Sequence, residues 1–244
     1  MIFNLEQIIP PRKINPDLIE EAIVEIRFES EIPSQEVVDQ LLVEFGKDYP
    51  VRKELPAAQF PSVIRDQDPQ LRYLPIKQLI KGDLVLQIGG RAISCVNKKP
   101  YMGWSNLKNE VEDMAEKLKA SKVVGEYKRL GIRYLNIFDV NILDKVNLAF
   151  TASGNYIVNE KIDLRLSLEL NRFQAAIKVS NNVHAVINDR VIDGSLVDID
   201  AFIVDFQENE LMTLIEEGHL LEKKLFFALL KDSFVKERLN PEYN

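Results

Sequence analysis

Hydrophobic and polar residues alternate strictly in EEAIVEIRFE, residues 20–29. A period of two residues is typical of a β-strand with one face in the core and the other in water. The apolar face of this strand consists of Ala22, Val24, Ile26 and Phe28. From Ser34 to Phe45 the apolar residues recur at helical spacing instead, which predicts an amphipathic helix with Ser34 as its N-cap.

Three further elements are predicted in the first half of the chain. Two extended arms flank Lys81-Gly82-Asp83 within residues 71–97, which predicts a hairpin, and we interpret Gly89-Gly90 as a bulge in its second arm. Apolar residues at helical spacing predict a helix over residues 104–120. The segment 123–138 is rich in branched and aromatic residues and predicts a long strand. Residues 51–70 contain three prolines and are expected to form a loop.

The second half of the chain predicts another sheet and a long helix. The segments IDLRLSLEL and FQAAIKVS alternate in phase, so a turn at Asn171-Arg172 pairs Leu170 with Phe173 in a tight hairpin. Residues 195–206 predict a further strand, and residues 207–237 predict a helix. We therefore expect an α+β fold with two halves, residues 1–138 and 139–244. Each half is expected to have mainly antiparallel strands and helices on one face, and the halves either share one sheet or abut.

Composition and charge narrow the class of protein. No apolar run approaches the ~20 residues of a membrane-spanning helix, and we expect no secretion signal at the N-terminus. The single cysteine, Cys95, fits a reducing cytosol and is expected to be a small buried hydrophobe. The net charge is −7, and residues 1–138 carry 20 basic and 20 acidic residues, so the whole acidic excess lies in the second half. An acidic half makes nucleic acid an improbable ligand.

The strand over residues 195–206 carries the strongest candidate chemistry. Its odd-numbered apolar residues, 197 to 203, are expected to face the core, which turns Asp198 and Asp200 to the other face, roughly 7 Å apart. Two carboxylates at this spacing could bind Mg²⁺ or Mn²⁺ with a third ligand from elsewhere, for which Glu169 is a weak candidate.

Residues 189–217 hold nine acidic residues and one basic residue, Arg190. Three interpretations follow: a solvated surface, a docking surface for a basic protein, or a metal site. The docking surface would combine acidic and aromatic residues, namely Asp198, Asp200, Phe202, Asp205 and Phe206.

Other candidate chemistry is weaker. Arg129 and Arg133 share a strand face with Tyr127, which could bind phosphate or nucleic acid, although pairing with acids on a neighbouring strand is the commoner arrangement. His184 and His219 are the only histidines, and their spacing fits no zinc motif. Ser195 follows Gly194 but leads into a strand, unlike a hydrolase nucleophile.

Four short motifs together resemble a sporadically distributed family of bacterial proteins of about this length, which has no established activity. These motifs are the proline pair followed by EAIVEIRFE, GIRYLNIF at 131–138, LVDIDAF at 196–202 and FVKERLNP at 234–241. In this chain RKINPDLIE separates the proline pair from Glu21, unlike the compact opening typical of the family. The resemblance implies a bacterial, cytoplasmic protein with an accessory role.

Two hypotheses of function follow from the sequence. The first is a non-catalytic protein-binding module, of the immunity or antitoxin type, that presents the acidic and aromatic strand face to a basic partner. The second is a metal-assisted hydrolase or phosphodiesterase in which Asp198 and Asp200 bind the metal and Arg133 binds phosphate. The oligomeric state is not predicted by any pattern in the chain.

Overall fold

The computed structural model describes residues 3–157, 160–187 and 190–243. Its strands are β1 (Ile19–Glu29), β2 (Val51–Glu54), β3 (Lys77–Lys81), β4 (Leu84–Ile88), β5 (Ala92–Lys98), β6 (Glu126–Phe138), β7 (Thr151–Ala152), β8 (Asn155–Tyr156), β9 (Ile162–Leu170), β10 (Phe173–Ile187) and β11 (Arg190–Val204). Its α-helices are α1 (Ser34–Phe45), α2 (Ser62–Gln67), α3 (Trp104–Ser121), α4 (Leu211–Leu229) and α5 (Asp232–Arg238). Short 3₁₀ helices cover Leu5–Gln7, Pro56–Gln59 and Glu208–Glu210.

One large antiparallel sheet joins most of these strands, which confirms the predicted α+β class. Within the described residues its order is β2-β3-β4-β5-β1-β6-β11-β10-β9, and β7 pairs with β8 separately. The strands that carry three of the family motifs, β1, β6 and β11, are therefore consecutive neighbours.

The chain divides into two compact units that are not consecutive in sequence. Unit 1 contains Met1–Glu20, Arg133–Ala201 and Glu217–Asn244, and unit 2 contains Glu21–Ile132 and Phe202–Glu216. The division that we predicted at residue 138 follows the order of the chain. Each unit instead combines segments from both halves of the sequence, and β1, β6, β11 and α4 each contribute residues to both units.

In unit 2, β1 has the predicted two-residue period, since its even-numbered residues from 22 to 28 are completely buried. Helix α3 begins at the predicted Trp104. Helix α1 begins at Ser34 itself, with Pro33 as the N-cap residue, and the Ser34 hydroxyl donates a hydrogen bond to Asp66 at 2.8 Å instead of capping the helix.

The two glycines interpreted as a bulge lie at a chain reversal. Strands β4 and β5 pair antiparallel on either side of Gly89-Gly90, with Ile88 opposite Ile93. A Cβ atom on Gly90 would lie 2.4 Å from the Ser34 Cβ, and one on Gly89 would lie 2.7 Å from the Leu74 carbonyl oxygen. Glycine is therefore required by close packing rather than by a bulge.

In unit 1, β9 and β10 form the predicted hairpin with Leu170 opposite Phe173. The predicted C-terminal helix is interrupted: α4 ends at Leu229 and α5 begins at Asp232. At the break the Lys231 amide donates a hydrogen bond to the Lys145 carbonyl at 2.8 Å, which is incompatible with a continuous helix. A core of buried residues includes Val197 and Ile199 of β11 and Leu225 of α4.

None of the helices in the described part of the chain is both long and apolar enough to span a membrane.

Candidate functional site

The burial pattern of β11 agrees with the alternation predicted from the sequence. Val197, Ile199 and Ala201 are completely buried, and Ile203 is nearly so. The side chains of Asp198 and Asp200 therefore point away from this apolar face, since neighbouring residues of a strand alternate between faces.

Asp198 is held by an arginine and is not an accessible acid. Arg133 donates from Nε to Oδ1 at 2.7 Å and from Nη2 to Oδ2 at 2.6 Å, a bidentate pair. Asp198 is 8% exposed, whereas the Arg133 side chain is 46% exposed. Asp198 thus points away from the apolar face as predicted, but the expectation that its carboxylate is exposed is wrong, because Arg133 contacts both of its oxygens within unit 1. Arg133 is likewise engaged with Asp198 and is not a free phosphate ligand.

The proposed metal ligands do not form a cluster. Within residues 3–157, 160–187 and 190–243 there is no group of three His, Cys, Asp or Glu side chains arranged to bind a metal ion. Glu169 lies on β9, which β10 separates from β11. A cation at Asp198 would also have to compete with the Arg133 guanidinium.

The aromatic part of the predicted docking surface is largely covered. Phe206 is 4% exposed and its ring centroid lies 5.3 Å from that of Tyr127. The Phe202 ring lies beneath the Arg129 guanidinium, at 4.4 Å. Asp205 remains at the surface and accepts a hydrogen bond from Lys128 at 3.3 Å. Phe206 is therefore a core residue of unit 2 rather than a contact for a partner.

Tyr127 and Arg129 do not form the predicted ligand-binding set. Tyr127 is 5% exposed, and burial raises its pKa to about 12, so its hydroxyl stays protonated at neutral pH. Arg129 donates from Nη1 to Glu25 on β1 at 2.9 Å. The pairing of an arginine with an acid on a neighbouring strand was the alternative that the sequence left open.

Two acids of residues 189–217 are balanced by lysines of α3. Glu208 lies 2.6 Å from Lys119, and Glu216 lies 2.5 Å from Lys108 and accepts a hydrogen bond from the Trp104 indole at 3.1 Å. Asp189 lies outside the described residues. These ion pairs neutralise much of the acidic segment within unit 2, which the sequence could not indicate because the partners are about 90 to 110 residues away.

A group of titratable side chains lies at α4 in unit 1. His219 Nδ1 and the buried Tyr134 hydroxyl are 3.1 Å apart. Glu222, one turn further along, is 3% exposed, and its Oε1 atom has no hydrogen-bond partner among the described residues. Burial raises the pKa of Glu222 well above its ordinary value; Lys223 opposes this shift and Asp198 adds to it. Glu222 is therefore a buried acid whose protonated form is favoured by the fold.

The remaining nucleophiles have structural roles. Ser195 is completely buried and its hydroxyl lies 2.8 Å from both the Val140 carbonyl oxygen and the Asn181 side-chain oxygen. A Cβ atom on Gly194 would lie 2.1 Å from the Phe138 carbonyl oxygen, so the Gly-Ser pair allows close strand packing. Burial raises the pKa of Cys95 to about 12, which makes a thiolate unfavourable. His184 is exposed on β10.

Helix α2, which the sequence pattern did not predict, has an inverted arrangement of polar and apolar side chains. Its one basic residue, Arg65, is 6% exposed and donates a hydrogen bond to the Phe60 carbonyl oxygen. Large apolar side chains occupy the solvent side instead: Phe60 is 45% exposed, Val63 63% and Ile64 49%. We predicted a loop here because three prolines dominate the segment. The run FPSVI was the available signal, since it holds three large apolar residues within five positions.

Helix α1, which packs beside α2, presents an acidic groove to solvent. The groove has a volume of about 440 Å³ and is lined by Glu36, Asp39, Gln40, Val43, Glu44 and Ser121. Val43 is 72% exposed within this acidic surrounding. We define the α1–α2 surface as the exposed residues Phe60, Val63 and Ile64, which lie in α2 or just before it, together with this groove on α1.

No protein-family model and no curated protein matches this chain. The resemblance to the bacterial family thus remains a prediction from the four motifs. Inferences about function rest on the geometry of the chain itself.

Proposed function

We propose that this protein is a non-catalytic protein-binding module of an accessory or immunity type that acts in the bacterial cytoplasm. Its contact region is the α1–α2 surface, and its partner is a protein segment that combines basic and apolar side chains. The inverted arrangement of α2 is the observation that carries this proposal.

The energetics of α2 support a partner. Helix α2 buries Arg65, while Val63 and Ile64 are exposed together with Phe60 just before the helix. A monomer gains no stability from leaving this apolar area in water. Covering such side chains contributes about 25 cal/mol per Å² of apolar area removed from water. Exposed apolar residues with a polar surrounding are typical of protein interfaces.

The charge of the groove supports a basic partner. Glu36, Asp39 and Glu44 line it, and its lining residues include no lysine or arginine. Unlike Asp198 and Asp205, these three acids have no salt bridge to a basic side chain among the described residues. The basic partner predicted from the sequence is retained, but its contact region moves from β11 to α1 and α2.

The proposal is tested by binding of a defined probe to the full-length protein. The probe is a fluorescent helical peptide of leucine and lysine with the leucines on one face, measured by anisotropy at low and at moderate salt. We expect Ile64→Asp to weaken binding at least tenfold, because it places a charge in the apolar contact. Leu220→Asp is the matched control, since Leu220 is 48% exposed on α4 and Ile64 is 49% exposed on α2. The affinity of the Leu220→Asp variant for the probe should stay within about twofold of that of the original protein.

A second pair of variants separates the electrostatic contribution. Glu36→Lys combined with Glu44→Lys should weaken binding of the probe and reduce the salt dependence of that binding. Glu237→Lys, on the exposed side of α5, should change neither. Equal affinity for the Ile64→Asp and Leu220→Asp variants would reject the α1–α2 surface as the contact region.

The hydrolase hypothesis has weaker support. It requires Mg²⁺ or Mn²⁺ at Asp198 and Asp200, and the bidentate pair of Asp198 with Arg133 competes with that cation. A rise in melting temperature with either ion that disappears in Asp200→Ala would restore it.

A further inference from the structure

Strand β1 presents alternating charges on the face opposite its buried residues. Glu25 accepts hydrogen bonds from Arg27 Nε at 2.7 Å and from Arg129 Nη1 at 2.9 Å. Glu29, four residues further on, accepts hydrogen bonds from Arg72 and from the Tyr73 hydroxyl, the latter at 2.9 Å. All these residues belong to unit 2. Two glutamates thus hold several arginines in fixed positions.

A further arginine adds to this group. Arg91 Nε lies 3.9 Å from Glu29, while its other nitrogens donate to the Gly90 and Ile32 carbonyl oxygens at 2.7 and 3.0 Å. We define the arginine cluster as Arg27, Arg72, Arg91 and Arg129.

Positive charge exceeds negative charge in the cluster. Four guanidinium groups face two carboxylates, Glu25 and Glu29, an excess of two. Asp66 of α2 also acts on Arg72, whose Nη1 donates to the Asp66 carbonyl oxygen at 3.3 Å, and counting its carboxylate leaves an excess of one positive charge. A local excess of positive charge in a chain with a net charge of −7 attracts an anion.

The cluster has an accessible layer and a buried layer. The Arg27 and Arg72 side chains are 34% and 35% exposed, whereas those of Arg91 and Arg129 are 10% and 14% exposed. A ligand would therefore meet Arg27 and Arg72 first. The buried arginines contribute charge that solvent screens less.

Arg27 is prepared for ligand contact. Its guanidinium lies 5.1 Å from the Tyr73 ring centroid and is fixed at Nε by Glu25. Its two Nη groups have no hydrogen-bond partner among the described residues, so both remain available for oxygen atoms of a ligand. A planar pair of Nη donors matches two oxygens of a phosphate, and stacking on an aromatic ring reduces the entropy lost on binding.

From this geometry we propose that the arginine cluster is a binding site for a phosphate group, either inorganic phosphate or a phosphate monoester. Arg27 contacts two phosphate oxygens through its Nη groups, and the excess of positive charge in the cluster favours an anion. The site lies on β1 and uses none of the apolar side chains of α2, so it stands independently of the proposed protein-binding function.

Isothermal titration of the full-length protein with inorganic phosphate, glycerol phosphate and acetate at matched ionic strength tests this site. We expect both phosphates to bind and acetate not to bind. Arg27→Gln should weaken phosphate binding at least tenfold, the usual effect of losing a charge-assisted hydrogen bond. Arg165→Gln, an exposed arginine of β9, serves as the matched control and should change affinity by less than twofold.

Arg27→Lys distinguishes loss of the ligand contact from a folding defect, because it keeps the positive charge while removing the paired Nη donors. Its affinity should lie between those of the original protein and Arg27→Gln. Equal heats for acetate and phosphate, or unchanged phosphate affinity in a folded Arg27→Gln or Arg27→Lys variant, would refute the site. Binding of glycerol phosphate but not inorganic phosphate would assign it to monoesters.

Discussion

At the scale of single residues, the hydrogen-bond partners of the ionisable side chains decide which functions the structure supports. Asp198 looked like a ligand from its position on a strand, but Arg133 occupies both of its oxygens. No sequence pattern predicted Arg27 as a binding residue, yet its Nη groups are available to a ligand. The difference lies in the partners of each side chain, which depend on pairing between strands and not on local periodicity.

The pair of Asp198 and Arg133 should contribute measurably to stability. Asp198→Asn removes the charge from a nearly buried acceptor, and we expect a loss of about 1–2 kcal/mol, moderated because Arg133 is half exposed. A double-mutant cycle with Arg133→Gln, followed by urea denaturation, measures the coupling between the two side chains. Additive effects of the two changes would show that the pair contributes no net stability.

Glu222 should make stability depend on pH in a defined direction. Burial raises its pKa above the ordinary 4.5, so the folded state retains a proton that the unfolded chain releases. The contribution to stability is complete below pH 4.5 and falls by about 1.4 kcal/mol per pH unit up to the raised pKa. Glu222→Gln should therefore raise the melting temperature at pH 8 and change it little at pH 4.5.

The measurement is the difference in melting temperature between Glu222→Gln and the original protein across this pH range. Glu237→Gln, an exposed acid of α5, corrects for general charge effects. A difference that stays constant with pH would mean that Glu222 is ionised in the folded protein.

At the scale of secondary structure elements, strands with one wet face, long amphipathic helices and the turns at residues 81–83 and 171–172 were predictable, whereas the reversal at Gly89-Gly90 and helix α2 were not. The periods of β1, β9, β11 and α3 appear directly in the order of their residues. The reversal at Gly89-Gly90 depends on Ser34 and Leu74, which are distant in sequence. Helix α2 was missed for a related reason, because an inverted helix does not bury its apolar residues.

Gly90→Ala tests this explanation of the reversal between β4 and β5. The added Cβ meets the Ser34 Cβ at 2.4 Å, so we expect a loss of about 1–3 kcal/mol in the free energy of unfolding. Ser34→Gly removes the opposing atom and should recover part of that loss in the double variant. Urea denaturation of the three variants provides the values; a fully stable Gly90→Ala would exclude tight packing at this turn.

At the scale of the whole molecule, the α+β class could be predicted but the arrangement of the strands could not. Alternation within a strand reports which residues share a face, and it carries no information on which strand lies alongside. The order β1-β6-β11 places Arg129 beside Glu25 and Arg133 beside Asp198. The predicted binding roles of Asp198, Arg129 and Arg133 were consequently wrong, because each of these side chains pairs with a residue of another strand.

The interleaved composition of the two units has a consequence for biosynthesis. Unit 2 needs residues 202–216, and unit 1 needs residues 217–244, so neither unit can form from its earlier segments alone. A nascent chain stalled after β6 holds most of unit 2 but lacks its closing segment. Unit 2 is therefore complete only after residue 216 has been synthesised, and unit 1 only after the later segment 217–244.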